Sequence, residues 1–290
     1  MHRRLPWLLS CALAACVPAF GLVAAYSPAA GASTAPAHSR PEARALAIAR
    51  QALRHLDVGQ HATDHRVSGS ATRVKGLTQV SSTNWAGYAD DNTKGNTYSK
   101  VTGKWSEPSV SCTSATSLAA FWVGIDGFTS ASVEQDGTLA ECYLGTAYYF
   151  SWWEMYPSNA IQVVGESVAP GDRITASVVK SGSRYTLKIT DSTHSANSFT
   201  TTQTCSSCVD TSAEWIAEAP SGSSGVEPLS NFRTWTESSA TVKSGSTTGV
   251  ISTFPDDQIT MINSSGATKA KTGSLNSSGN GFTVTWERSS

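Results

Sequence analysis

This 290-residue chain predicts an all-β fold, a β-sandwich of two antiparallel sheets of the lectin-like or jelly-roll type, and three observations carry that expectation. From about Leu77 onward the composition turns to Ser, Thr, Gly, Val and Trp, with apolar residues alternating at period two, the pattern of strands with one buried face. Turn formers punctuate these runs, as in Ala169-Pro-Gly-Asp172, Lys180-Ser-Gly-Ser183 and Ser264-Ser-Gly266. No amphipathic helical period falls between the strand runs, which excludes a parallel sheet built from strand-helix-strand crossovers.

Taken from the front, Met1-His-Arg-Arg4 is cationic, residues 5–25 are largely apolar though broken by Pro6 and Pro18, and Ala30-Gly-Ala32 offers small residues for cleavage. This predicts a secretory signal peptide over residues 1–32 and a secreted, extracellular protein. A lipoprotein box at Leu13-Ala-Ala-Cys16 is disfavoured, because the apolar run continues past Cys16 to about Ala25. No other stretch approaches the roughly 20 apolar residues that span a bilayer, so no membrane association is expected after maturation.

Residues 33–76 are expected to be a basic propeptide, with the Ala/Leu/Arg composition of one helix over residues 41–55. The charge divides with the composition. Residues 1–75 carry nine Lys/Arg against three Asp/Glu, net +6, whereas residues 76–290 carry twelve against nineteen, net −7. A basic segment ahead of an acidic domain suggests an intramolecular inhibitor that covers an acidic cleft and loosens when acid neutralises the cleft.

Residues 77–290 form one expected domain, with strands at 101–105, 147–153, 173–179, 185–190, 197–201, 213–217, 258–262 and 281–286. Four cysteines remain after the signal, and of their three possible pairings Cys112 with Cys142 and Cys205 with Cys208 is favoured. They read as structural disulfides. A redox role for Cys205-Ser-Ser-Cys208 would call for a following helix to lower a thiol pKa, and the segment after it reads as a strand. Zinc is not expected, since the spacing lacks a second pair and no histidines accompany it; no metal or cofactor is implied.

Of six histidines only His194 belongs to the expected mature domain, in the polar turn Asp191-Ser-Thr-His194-Ser-Ala-Asn197. A Ser-His-Asp or Cys-His device is therefore disfavoured. Glycine-rich phosphate loops are absent and the domain is acidic, which argues against nucleic acid as a partner. Carboxylates remain as the chemistry. Acids and one glutamine sit beside aromatic rings in Trp122-Val-Gly-Ile-Asp126-Gly127, Glu134-Gln135, Trp152-Trp-Glu154-Met-Tyr156-Pro157 and Ala213-Glu-Trp-Ile-Ala-Glu218.

Those motifs, with Asn84-Trp85-Ala-Gly87 ahead of them, occur in an order and spacing that resemble the glutamic peptidases, also called eqolisins or family G1. The resemblance spans about residues 80–290. It implies a secreted, pepstatin-insensitive acid endopeptidase, a β-sandwich made as a precursor with a basic propeptide, acting on polypeptides; a monomer is expected. Carried over by position, the catalytic glutamine is Gln135 and the catalytic glutamate Glu218, with Trp85, Trp122, Asp126, Trp152, Glu154 and Tyr156 lining the cleft. Alternation lends independent support, because Glu214, Ile216 and Glu218 share one strand face, as do Trp152, Glu154 and Tyr156. One departure is that Gln135 is flanked by Glu134 and Asp136, where the better-known fungal pattern has apolar and small residues. A second reading is a glycoside hydrolase or lectin-like module that uses Glu154, Glu218 and the tryptophans on sugar rings.

Overall fold

The computed structural model describes Ala47, the backbone of residues 66–74, and residues 77–91, 94–165, 168–222 and 225–290. The expected signal peptide lies outside the described residues, as does the expected propeptide helix apart from Ala47, which is helical. Within the expected propeptide, residues 66–74 form a strand.

In chain order the strands are β1 (Arg66–Val74), β2 (Leu77–Ser82), β3 (Trp85–Asp90), β4 (Tyr98–Ser106), β5 (Ser117–Ile125), β6 (Val133–Tyr143), β7 (Thr146–Tyr156), β8 (Asn159–Gly165), β9 (Arg173–Ser181) and β10 (Arg184–Asp191). They continue with β11 (Phe199–Thr204), β12 (Ala213–Glu218), β13 (Ser221–Gly222), β14 (Gly225–Val226), β15 (Thr234–Ser244), β16 (Thr247–Gly249), β17 (Asp256–Ile262), β18 (Thr268–Thr272) and β19 (Phe282–Trp286). Among the described residues no helix is long and apolar enough to cross a membrane.

One layer runs β8-β7-β6-β5-β12-β3-β17, each pair antiparallel. Beyond β17 lie β18 and β19, while β2 pairs with β17 in parallel. The second layer runs β15-β4-β9-β10-β11. The two layers share β15. Its first residues, Thr234 to Glu237, pair with β19, and after an irregularity between Ser238 and Thr241 its remainder pairs with β4. Ser239 there has φ of 55°, as expected of a bulge that bends a strand from one sheet toward another.

Alternation then decides what is buried where. Phe121, Val123 and Ile125 of β5 and Trp215 and Ala217 of β12 pack against Ile174, Ala176 and Val178 of β9 and Leu187 and Ile189 of β10, forming the core between the layers. The opposite faces of β5 and β12 supply Leu118, Ala120, Trp122 and Ile216 to a second apolar cluster with Trp85, Val133, Leu139, Phe150 and Trp152. β5 and β12 are thus buried on both sides, and β5 runs almost unbroken apolar rather than alternating.

Seven of the eight expected strands coincide with β4, β7, β9, β10, β12, β17 and β19, with ends that differ by up to three residues. The eighth starts late, because Asn197 closes a 3-10 turn, Ser195–Asn197, before β11 begins. Asn197 Nδ2 donates to Asp191 Oδ2 at 2.8 Å, and Asp191 Oδ1 accepts the N–H groups of Thr193 and His194, so the side chains of the turn hold Asn197 out of the ladder. The disulfides are Cys112–Cys142 and Cys205–Cys208.

Candidate active site

The candidate residues converge on the face of the larger layer that carries the second apolar cluster. Register sets three rows across β12, β5, β6 and β7. Glu214, Gly124, Gln135 and Glu154 lie in one; Ile216, Trp122, Gly137 and Trp152 in the next; Glu218, Ala120, Leu139 and Phe150 in the third. Trp85 of β3 stands opposite Glu218.

The middle row connects the other two. Trp122 donates its indole N–H to Glu218 Oε2 at 2.8 Å. The benzo edge of the same indole overlies Gly124, where an added Cβ would lie 2.9 Å from Trp122 Cζ3 and 3.3 Å from Gln135 Cβ. Gly137 serves Trp122 in the same way, since a Cβ there would sit 2.6 Å from Trp122 Cβ. Two glycines on adjacent strands therefore make room for one ring that reaches from the Gln135 row to Glu218. Trp85 packs edge-on against it with centroids 5.0 Å apart.

Glu218 and Gln135 are each oriented by a further polar group. Asn84 Nδ2 donates to Glu218 Oε1 at 3.2 Å, and Ser82 Oγ donates to Asn84 Oδ1 at 3.0 Å, which fixes the amide. Gln135 Nε2 donates to Glu154 Oε2 at 2.8 Å. All five side chains are buried. Asn84 received no role from the sequence; its place directly before Trp85 in the first motif was the available signal.

Asp126 occupies a different position from the other candidates. Its carboxylate accepts the backbone N–H groups of Val209, Asp210 and Thr211 at 3.0, 2.8 and 2.8 Å. With φ of 69°, it ends β5 and clamps the segment that leads into β12. Tyr156 packs at the edge of the cluster that includes Trp152. Glu214 is fully buried, and burial first, then the neighbouring Asp126, hold its carboxyl well above the usual range.

Acids also fill the opposite side of these strands. Asp136, between the layers by alternation, is held well above the usual carboxylate range by burial. Glu107 accepts Thr138 Oγ1–H and Trp105 Nε1–H on Oε2, and burial pushes its carboxyl up to about 8.

Two groups among the described residues bring three metal-type donors within 4.8 Å, Asp172 with Asp191 and His194, and Glu134 with Cys205 and Cys208. In the first, Asp191 is engaged by Thr193, His194 and Asn197, and Asp172 by Ala169 N–H and His194 Nδ1. In the second, both sulfurs are joined in the disulfide.

A two-layer β-sandwich with a glutamate and a glutamine facing one tryptophan-lined surface defines a class of hydrolase, the glutamic peptidases. The sequence profile of the Peptidase A4 family matches residues 83–286. The chain belongs to that family and is a peptide-bond hydrolase, which displaces the carbohydrate reading. Aspergillopepsin-2 of Aspergillus niger is 29% identical over 230 residues, covering 71% of this chain and 78% of its own. The crystal structure of aspergilloglutamic peptidase from Aspergillus niger superposes with a TM-score of 0.50 at 27% identity, over 59% of this chain and 99% of that one. Scytalido-glutamic peptidase, solved with a peptide-based transition state analogue, gives a TM-score of 0.58 at 21% identity, over 71% of this chain and 98% of that one, a likeness of fold.

Proposed function

We propose that the chain is the precursor of a secreted acid endopeptidase in which Glu218 is the general base and Gln135 the oxyanion donor. The observation that carries the reading is the Trp122 indole, which holds Glu218 by its N–H while its far edge lies beside Gln135. Glu218, as a carboxylate, takes a proton from water as the water oxygen bonds to the scissile carbonyl carbon. The bonds from Trp122 and Asn84 orient the carboxylate.

A primary amide carries two N–H donors. In Gln135 the bond to Glu154 sets the orientation of the amide, and the amide is the donor that the developing oxyanion requires. Glu218 then returns its proton to the amine nitrogen as the carbon–nitrogen bond breaks. Carboxylates as a class ionise in the acid range, so a glutamate base suits an acidic working range. The substrates are polypeptides, the basic segment of residues 33–76 is an intramolecular inhibitor, and the mature enzyme is a monomer.

The test is hydrolysis of a denatured protein from acidic to neutral pH with pepstatin present, comparing acid-activated wild type with Glu218→Gln and Gln135→Ala. The base variant is expected to be inactive. Loss of an oxyanion donor is expected to lower kcat about 100- to 1,000-fold. A folded, active Glu218→Gln protein would end this assignment, and full activity in Gln135→Ala would remove the glutamine from it.

A further inference from the structure

The two disulfides sit in unlike surroundings. Cys112–Cys142 joins partners 30 residues apart and has Cys142 fully buried at the end of β6. Cys205–Cys208 spans a separation of 3 on the irregular segment between β11 and β12, with both cysteines half-buried and Ser206 and Ser207 exposed. It lines a small pocket, about the size of a water molecule or two, together with Glu134, Met155, Tyr156, Pro157 and Ser158.

Glu134 is the unusual member of this pocket. It is 0% exposed, its Oε2 has no hydrogen-bond partner, and its Oε1 lies 2.8 Å from Cys208 Sγ. A disulfide sulfur carries no hydrogen, so a hydrogen bond across this contact can be donated only by a protonated Glu134 carboxyl. Burial, then Asp126, Asp210 and Glu214 around it, hold Glu134 well above the usual carboxylate range. The other sulfur has a different partner, for Cys208 N–H donates to Cys205 Sγ at 3.1 Å, a contact that strengthens when Cys205 is a thiolate.

We propose that Cys205–Cys208 is a thiol–disulfide exchange site, opened by a dithiol reductant, in which Glu134 is the acid that protonates Cys208 as it leaves. The reductant's thiolate attacks Cys205 Sγ, forming a mixed disulfide and breaking the bond to Cys208. The Glu134 proton passes to Cys208 Sγ, leaving a thiol and a carboxylate. The second thiolate of the reductant then closes its own disulfide and releases Cys205 as a thiolate beside the Cys208 N–H. Two electrons come from the dithiol, and Glu134 regains its proton from solvent. Exchange is faster when the leaving sulfur is stabilised, and a buried acid at the leaving sulfur supplies that stabilisation where the sequence reading looked for a following helix.

Exchange at this point reaches toward the cleft. The residues after Cys208 hold Asp126 through three backbone N–H groups, and Glu134 immediately precedes Gln135 in β6. Until Glu134 regains its proton, exchange therefore puts a transient negative charge one residue from the candidate oxyanion donor. That link to activity rests on the proposed function, but the exchange chemistry does not.

The experiment treats the folded full-length chain with dithiothreitol near pH 7, quenches by alkylation, and follows each disulfide separately by mass spectrometry of its peptides. Cys205–Cys208 is expected to open at least about tenfold faster than Cys112–Cys142. Glu134→Gln, whose amide cannot supply the proton, is expected to slow that opening by about tenfold or more without changing the rate at Cys112–Cys142, and Glu134→Asp to fall between. Should Glu134→Gln fail to fold, the wild-type rate per reductant thiolate decides the matter, because with an acid at Cys208 it falls as pH rises through the deprotonation of Glu134. Equal opening of the two disulfides, rates unmoved by either variant, or a flat wild-type profile per thiolate would overturn the proposal.

Discussion

Substituting Glu107 with glutamine should flatten the loss of stability between pH 4 and pH 7. Glu107 is fully enclosed between the layers, with its carboxyl raised from an ordinary 4.5 to about 8 by burial first. A carboxyl whose pKa is raised by folding binds its proton more tightly in the folded state. Its contribution is therefore fully present below pH 4.5 and is lost as pH rises toward 8. At one pKa unit per 1.36 kcal/mol, the loss by pH 7 is about 3 kcal/mol, while at pH 4 it is negligible.

In the variant, the amide oxygen still accepts from Thr138 and Trp105, and the amide nitrogen takes the place of Oε1, which has no partner. The cost of that nitrogen is the same at both pH values and cancels in the difference. Asp136 and Glu237, also buried and raised, remain, so the variant still loses stability toward neutrality, but by about 3 kcal/mol less. Urea unfolding at pH 4 and pH 7, on wild type and variant, reads this directly. An identical pH-dependent loss in the two proteins would refute the reasoning, since it would mean that Glu107 ionises alike folded and unfolded.

Two further outcomes follow from the packing at Trp122. Trp122→Phe keeps an aromatic ring but removes the N–H that Glu218 accepts at 2.8 Å. A hydrogen bond to a charged group is worth about 1.5–3 kcal/mol, so kcat should fall about 10- to 150-fold on a peptide substrate, with a smaller change in KM; an unchanged kcat would detach Trp122 from the chemistry. Gly137→Ala would drive a methyl into Phe121 O and to 2.6 Å from Trp122 Cβ. Separating β5 from β6 to relieve that overlap should cost about 3 kcal/mol or more, measured as a lowered urea midpoint, and a stable variant would show that the two strands are looser than their register implies.

The motifs that name the family were legible because their residue types are rare in combination and their order survives as a linear pattern. Strands with one wet face were legible too, as in β9, where Ile174, Ala176 and Val178 alternate with more exposed residues. β5 and β6 hide the same periodicity. Both faces of each are covered, so Leu118 to Ile125 reads as a continuous apolar run, and β6 buries Glu134, Asp136 and Glu141 in positions where composition suggests surface. The partners of Asp126 were hidden for a related reason, because its carboxylate accepts backbone N–H groups more than eighty positions away in the chain.

What the sequence alone determined is the class of fold, the family, and which residues are candidates, because period-two alternation, turn chemistry and motif spacing are local properties of a chain. Tertiary structure decided the rest. Only the pairing of β12 with β5 and of β5 with β6 places Trp122 between Glu218 and Gln135, and only two cross-strand glycines leave its ring room to lie there. Only folding removes water from Glu107, Asp136 and Glu134, and with it the solvation that would have kept them ordinary acids. Both are consequences of long-range contact, which residue order does not encode position by position.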